Sequence, residues 1–286
     1  MFLTAAASLA AASSVRAASR PRLAAIDWAM LETATAIGHM PVAACELLKF
    51  RTSAGEPAIP ETVVDLGLRG SPNFELLQLT RPDFILTSPY YVQYQRRLEA
   101  IAPVVNMTFY VPGEAPLPKA LAAVTDLSAA IGDPNSAARA LDRFDTGMAS
   151  AKAGLAAFSD RPFCVVNLGD ARHLRAFGND SMFGSVLERL GLRNSWIGGT
   201  RFSFLAPVPI ERLIEFPDAN LVVVGEVPPQ ARHGLSRSVL WKALPQIADR
   251  RTYHLPEVNA FGGLPAAMRF ARLLANTLNS GPTELA

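Results

Sequence analysis

Strong charge of either sign is missing from this sequence. Its 27 Lys and Arg nearly cancel 25 Asp and Glu, leaving a formal +2 over 286 residues, and no Lys/Arg run carries interleaved aromatics. Such a balance argues against nucleic acid as a partner and gives no strong attraction to an anionic membrane. Long apolar runs are absent as well. Past the N-terminal stretch none reaches the roughly 20 residues needed to span a bilayer, so a soluble mature chain is expected. Cysteine is scarce. Cys45 and Cys164 lie in different halves, each after apolar residues, which predicts small buried free thiols and no disulfide between lobes. Catalytic signatures are missing too: there is no Gly-x-Ser-x-Gly elbow, P-loop, Rossmann glycine fingerprint or His-Glu-x-x-His. His39, His173, His233 and His254 form no ligand-spaced pair, which argues against a histidine metal cluster and a resident cofactor. A binding protein fits these absences better than an enzyme.

What is present is apolar and repetitive. Hydrophobic residues make up 50% of the chain and charged residues 18%, the composition of a globular protein long enough for two moderate cores. One phrase occurs twice. Pro72-Asn73-Phe74-Glu75-Leu76-Leu77 leads through Arg81-Pro82-Asp83 into Phe84-Ile85-Leu86-Thr87, and Pro209-Ile210-Glu211-Arg212-Leu213 leads through Phe216-Pro217-Asp218 into Asn220-Leu221-Val222-Val223-Val224. Each copy reads as a short helix with a glutamate in its first turn, a Pro-Asp stop and an apolar strand. Two similar lobes, each showing one carboxylate to a common partner, would produce this pattern. A helix-start glutamate favoured by the helix dipole explains either copy alone but not the matching positions.

Between the copies the β/α alternation stops. Arg22 to Trp28, Pro41 to Cys45, Val63 to Gly67 and Phe84 to Thr87 read as strands, with 51–62 as a loop and Val104-Val105 continuing the pattern. From Ala137 to Phe158, Ala140, Leu141, Phe144, Met148, Ala151, Leu155 and Phe158 recur at three- and four-residue spacing, predicting one long amphipathic helix after an Asp133-Pro134 break. The alternation then resumes with Phe163–Leu168, a hairpin strand His173–Phe177, helices over Ser181–Leu190 and Leu240–Ile247, a strand over Thr252–Leu255 and a closing helix over Pro265–Leu278. The expected fold is α/β: two β/α lobes joined by a single long linker helix, with a ligand groove between lobes. The expected divisions are a signal segment over 1–20, lobes over 21–132 and 161–286, and the linker over 133–160.

The first residues are an Ala-, Ser- and Leu-rich run ending in Val15-Arg16-Ala17, a small-x-small cleavage pattern. No charge precedes Arg16, and Phe2-Leu3 resembles the end of a twin-arginine export signal. The expectation is a start upstream of Met1, a mature chain from near Ala18, and export to the periplasm. The alternative is an Ala-rich disordered N-terminus on a cytosolic protein.

Several segments together resemble a known family. Val64-Asp65-Leu66-Gly67-Leu68-Arg69 with Pro72 to Leu77, Asp170-Ala171-Arg172-His173 through Phe177-Gly178, Asn194-Ser195-Trp196, and Gly262 to Ala275 with Ala267-Met268-Arg269-Phe270 resemble the periplasmic siderophore- and cobalamin-binding proteins of ABC importers. The resemblance is strongest to the ferric-hydroxamate (ferrichrome-type) members and runs from Arg22 to Asn279. It implies a class III periplasmic-binding-protein fold and a ferric hydroxamate siderophore as ligand, with the importer's membrane permease as partner. It further implies a monomer that moves little on binding.

A ferric hydroxamate carries its own six oxygen ligands, so the protein supplies hydrogen bonds and apolar contact in place of iron ligands. By the resemblance, Arg69 and Tyr91 reach the hydroxamate oxygens and Trp28 lines the groove, while Glu75 and Glu211 pair with permease arginines. Tyr90 leaves the register of Tyr91 open, and core packing is the alternative for Trp28; Trp196 and Trp241 read as structural. The sequence departs from the family at Ser53, where a pocket tryptophan is usual, and at Arg201-Phe202-Ser203-Phe204, which replaces a Phe-Trp pair and leaves Phe204 as substitute. It departs again at Asn259-Ala260-Phe261, which replaces a Trp-Phe-Tyr run, and at Arg175, where an aliphatic residue is usual. A more open and polar pocket, for a bulkier or more anionic hydroxamate, follows. Cobalamin, haem or a catecholate chelate is the alternative ligand, and a bilobed metalloenzyme the alternative class.

Overall fold

The structure, a computed structural model, describes residues 20–197 and 207–285. In the first half β1 (Leu23–Ala25), β2 (Ala43–Ala44), β3 (Val64–Asp65), β4 (Phe84–Thr87) and β5 (Val104–Asn106) form a parallel sheet in the order β3-β2-β1-β4-β5. β1 is central and fully buried. Leu23 and Ala25 enter one apolar cluster and Ala24 another, the alternation of a strand covered on both faces. In the second half β6 (Phe163–Leu168), β7 (His173–Ala176), β8 (Val208–Pro209), β9 (Asn220–Val224) and β10 (Thr252–Leu255) are ordered β10-β9-β6-β7-β8. β10, β9 and β6 run parallel, whereas β7 is antiparallel to β6 and β8, which makes β6–β7 the expected hairpin.

The linker helix spans Pro134–Gly154 and buries Ala140, Phe144, Met148 and Ala151 of the predicted stripe. Pro134 sits in its first turn, where a missing N–H is harmless. It is shorter than the predicted Ala137–Phe158 at its C-terminal end: the chain turns at Leu155 into a 3-10 turn over Ala156–Phe158. At ~1.5 Å per residue the helix still reaches about 30 Å, enough to pass from one lobe to the other.

Three other local expectations differ from the structure. Helix Leu47–Ser53 intrudes on the loop expected over 51–62. The helix expected over Leu240–Ile247 breaks into Val239–Ala243 and Pro245–Ala248, because Leu244, ahead of a proline, takes an extended ψ of 130°. The repeated phrase folds unequally. Asn73 caps Phe74–Leu79 by accepting from Leu76 N, whereas Pro209 offers no side-chain cap and Ile210–Glu215 winds as a 3-10 helix.

Both thiols are buried and free, as expected. The closing helix, Leu264–Ser280, ties the halves together. It packs against the first helix (Trp28–Ala36), the linker and helix Met182–Leu190. One apolar cluster accordingly runs from Leu23 of β1 through Phe144 of the linker to Leu278 of the closing helix. At its centre Phe270 stacks on Phe183 with ring centroids 4.5 Å apart. Phe270→Ala should lower unfolding free energy by about 3–5 kcal/mol, the range for a buried Phe truncation. Because the core is shared, urea should unfold the protein in a single transition, and separate transitions for the two halves would contradict that continuity.

Candidate functional site

The carboxyl ends of the five parallel strands of the first lobe converge on a groove of about 780 Å³, which the second lobe closes from the other side. Open α/β sheets place their ligand sites at these strand ends, where loops carry side chains on a rigid base. β1 delivers Asp27 and Trp28, β4 delivers Ser88, Tyr90 and Tyr91, the loop after β3 delivers Arg69, and the chain beyond β5 delivers Tyr110. From the opposite lobe come Arg175 on β7 and the segment 257–261 after β10.

Arg69 is held on two sides in the groove. Glu46, in the left-handed region at φ 53°, accepts from Arg69 Nε at 3.0 Å and from its backbone N–H at 3.3 Å. The guanidinium lies 4.0 Å above the Trp28 ring, a cation–π placement. Trp28 is itself locked: Nε1 donates to Cys45 O at 3.0 Å and the ring meets Phe50 edge-on at 5.1 Å. This arrangement leaves both Nη groups of Arg69 without a hydrogen-bond partner among the described residues. A charged donor fork thus lines the open cleft with two unpaired ends.

Around this floor stand groups tuned by burial. Asp27 caps the first helix by accepting from Ala29 N at 2.7 Å, and it accepts from Ser88 Oγ at 2.8 Å. Desolvation raises its carboxyl above the ordinary value against those bonds and the pull of Arg69. The Tyr91 hydroxyl is pushed up to about 12, by burial first and the Asp27 charge second, so it is a protonated donor at neutral pH. Tyr90 lines the groove beside Tyr91 and is 54% exposed. The two tyrosines left open by the sequence thus share the site. Glu257 is also raised, chiefly by burial and in smaller part by the Glu226 charge, against a backbone hydrogen bond from Glu226 and the pull of Arg175 and Lys49.

The structure brings Arg69, Tyr91, Trp28, Arg175, Asn259 and Phe261 to one groove, and Ser53 joins them. Phe204 and its neighbours Arg201, Phe202 and Ser203 lie outside the described residues. Asn259 faces the cleft with its amide already engaged, donating to Glu32 at 2.7 Å and accepting from Phe261 N at 3.1 Å. Phe261 packs edge-on against Tyr110 at 5.2 Å, and Tyr110 donates to Gly262 O at 2.6 Å. Trp196 and Trp241 are core residues in a separate cluster. Glu75 and Glu211 are exposed, each in the first turn of its helix and away from the groove lining.

Sequence reasoning missed Asp27, Glu32, Glu46, Lys49, Tyr110 and Glu257. Asp27 had a signal, an N-cap residue directly before a helix. Glu32 had a fainter one, the single charge in Trp28–Ala36. Among the described residues no group of three His, Cys, Asp or Glu could hold a metal ion, and no helix is long and apolar enough to cross a membrane.

Glu32 sits behind the wall of the groove at 0% exposure. Burial raises its pKa from 4.5 to about 7, against hydrogen bonds from Asn259, Gly263 and Ala266 and with a further push from Asp27. Because the folded value exceeds the unfolded one, the linked stability is fully present below about 4.5 and is lost as pH rises through about 7. The melting temperature should therefore decline between pH 5 and pH 8, and more shallowly in Glu32→Gln. An identical slope in both proteins would remove Glu32 as its source.

Residues 23–258 match the family model described as periplasmic binding protein. The chain is 30% identical over 257 residues to the iron(3+)-hydroxamate-binding protein FhuD of Escherichia coli K12, covering 90% of this chain and 86% of that one. Its fold is similar to the Fe3+–Desferal-bound siderophore binding protein FhuD from Vibrio cholerae, with a TM-score of 0.84 at 22% identity over 93% of this chain and 100% of that one. It is also similar to Staphylococcus aureus SirA complexed with staphyloferrin B, with a TM-score of 0.66 at 19% identity over 92% and 94% of the two chains.

Proposed function

Because the chain belongs to the periplasmic binding protein family, we propose that it binds a ferric hydroxamate siderophore and delivers it to the membrane permease of an ABC importer. It works in the periplasm as a monomer and performs no catalysis. The observation that carries this reading is the Arg69 fork, clamped by Glu46 over Trp28 and lining an open groove with its Nη groups unpaired among the described residues. Hydroxamate oxygens on a saturated iron are clustered and partly anionic, and a planar guanidinium serves several of them at once where an ammonium would act as a point charge. The protonated Tyr91 hydroxyl adds a neutral donor, while Trp28, Tyr110 and Phe261 supply apolar contact to the ligand's organic frame.

Arg69→Ala should weaken binding of a ferric hydroxamate by about 1.5–3 kcal/mol, the range for a charge-assisted hydrogen bond, read from quenching of tryptophan fluorescence. Unchanged affinity would take Arg69 out of the site, and tighter binding of ferric catecholates, haem or cobalamin than of any hydroxamate would overturn the ligand class. Glu75 and Glu211, exposed and one per lobe, are the proposed permease contacts. Rim charges of this kind govern orientation and encounter more than ligand affinity. Cells carrying Glu75→Lys with Glu211→Lys should lose iron–hydroxamate uptake while the purified variant binds ligand normally; normal uptake would dismiss the docking role.

A further inference from the structure

Glu32 belongs to the first helix, yet all three of its hydrogen-bond donors lie in the opposite lobe. One carboxylate oxygen accepts from Asn259 Nδ2 at 2.7 Å; the other accepts from Gly263 N at 2.7 Å and Ala266 N at 3.1 Å. Gly263 is the N-cap position of the closing helix and has no side chain with which to cap it. Glu32 therefore caps, from the first lobe, a helix of the second, satisfying N–H groups that a helix start leaves open. The approach is tight. A Cβ on Gly262 would stand 2.5 Å and 2.6 Å from the two carboxylate oxygens and would also strike Ala266, and one on Gly263 would press on Ala29 O and Thr33 Oγ1 at 3.1 Å. Two successive glycines are what let the first helix come this close.

We propose that Glu32 is a positioning residue for ligand binding: by bolting Asn259 and the start of the closing helix to the first lobe, it sets the wall 259–261 of the groove. It never touches the ligand, being fully buried. The bolt has a polarity. Asn259 donates to Glu32 with its amide nitrogen while its Oδ1 accepts from Phe261 N, and that second bond fixes which way the amide points. The Glu32 side must therefore accept. An amide at position 32 can still cap Gly263 and Ala266 through its oxygen, but its NH2 then meets the NH2 of Asn259, and turning Asn259 over would abandon Phe261 N. A carboxylate at 259 against an amide at 32 repairs the arrangement with the polarity reversed. The amide donates to one oxygen of residue 259, and the other oxygen still accepts from Phe261 N. Net charge is unchanged by that exchange.

The affinity consequence rests on the ferric-hydroxamate reading, whereas the wall consequence does not, so the experiment measures both. Glu32→Gln, Asn259→Asp and the double variant would be compared with the unsubstituted chain by fluorescence titration with the iron–Desferal complex. Amide hydrogen exchange over 259–266 would be followed in the same four proteins. Each single variant should weaken binding by about tenfold or more, the consequence of leaving a buried polar group unsatisfied, and should speed exchange at Gly263 and Ala266. The double variant should recover both. A Glu32→Gln chain that fails to fold until Asn259→Asp is added would report the same pairing. Singles that exchange and bind like the unsubstituted chain, or a double no better than the worse single, would overturn the proposal. If no protein binds the complex while exchange follows the predicted pattern, the ligand assignment fails and the bolt stands.

Discussion

A carboxylate from one lobe sits on the N-terminus of a helix from the other, and the way the two halves meet follows from that contact. Burying Glu32 is unfavourable on its own, which is why its pKa moves up to about 7, and a buried charge persists only where hydrogen bonds offset its lost hydration. Three donors from one short stretch of the second lobe do so. Nearby links run the same way. Tyr110 donates to Gly262 O, and Glu56 receives Arg269 at 2.8 Å and Arg272 at 2.6 Å. With the closing helix packed into an apolar cluster that also holds β1 and the linker, the two sheets form the walls of one body.

A groove built on such a body can hold its donors ready. Arg69 is fixed from below by Trp28 and from the side by Glu46, so little freedom remains to be lost when a ligand arrives, and preorganisation of this kind favours affinity without added contact area. The cost is local. Glu46 holds a left-handed backbone angle, and Asp27 is kept as a buried carboxyl by its helix cap and Ser88. Such features cluster where a loop must aim a side chain. Here they lie at the ends of parallel strands, where the sheet gives them a stiff base.

The two exposed glutamates show how far pattern goes. Glu75 and Glu211 were found as a repeat, and both begin short helices that lead into buried strands. Their likeness stops at the backbone. Asn73 can cap an α-helix and Pro209 cannot, so one copy is α and the other 3-10. Pairing of the lobes is approximate for a reason visible in two residues.

Much of the architecture was legible because periodicity reports local burial. The linker stripe Ala140, Phe144, Met148 and Ala151 and the alternating strand His173–Ala176 repeat with the period of their own element, and Leu221 to Val224 reads as a short continuous apolar run; in each case neighbours in sequence suffice. Arg69 and Tyr91 were legible through resemblance, since their motifs survive in this chain, and Arg175 as a departure from it; all three line the groove. What the sequence could not carry was the partner of each polar side chain. Glu32 and Asn259 are separated by 227 positions, Glu46 and Arg69 by 23, and nothing in the local pattern of either member names the other. Tertiary packing alone decided that a lone charge on an apolar helix would cap a helix of the other lobe. The direction and burial of a hydrogen bond depend on where two distant backbones meet, and composition and period hold no record of that.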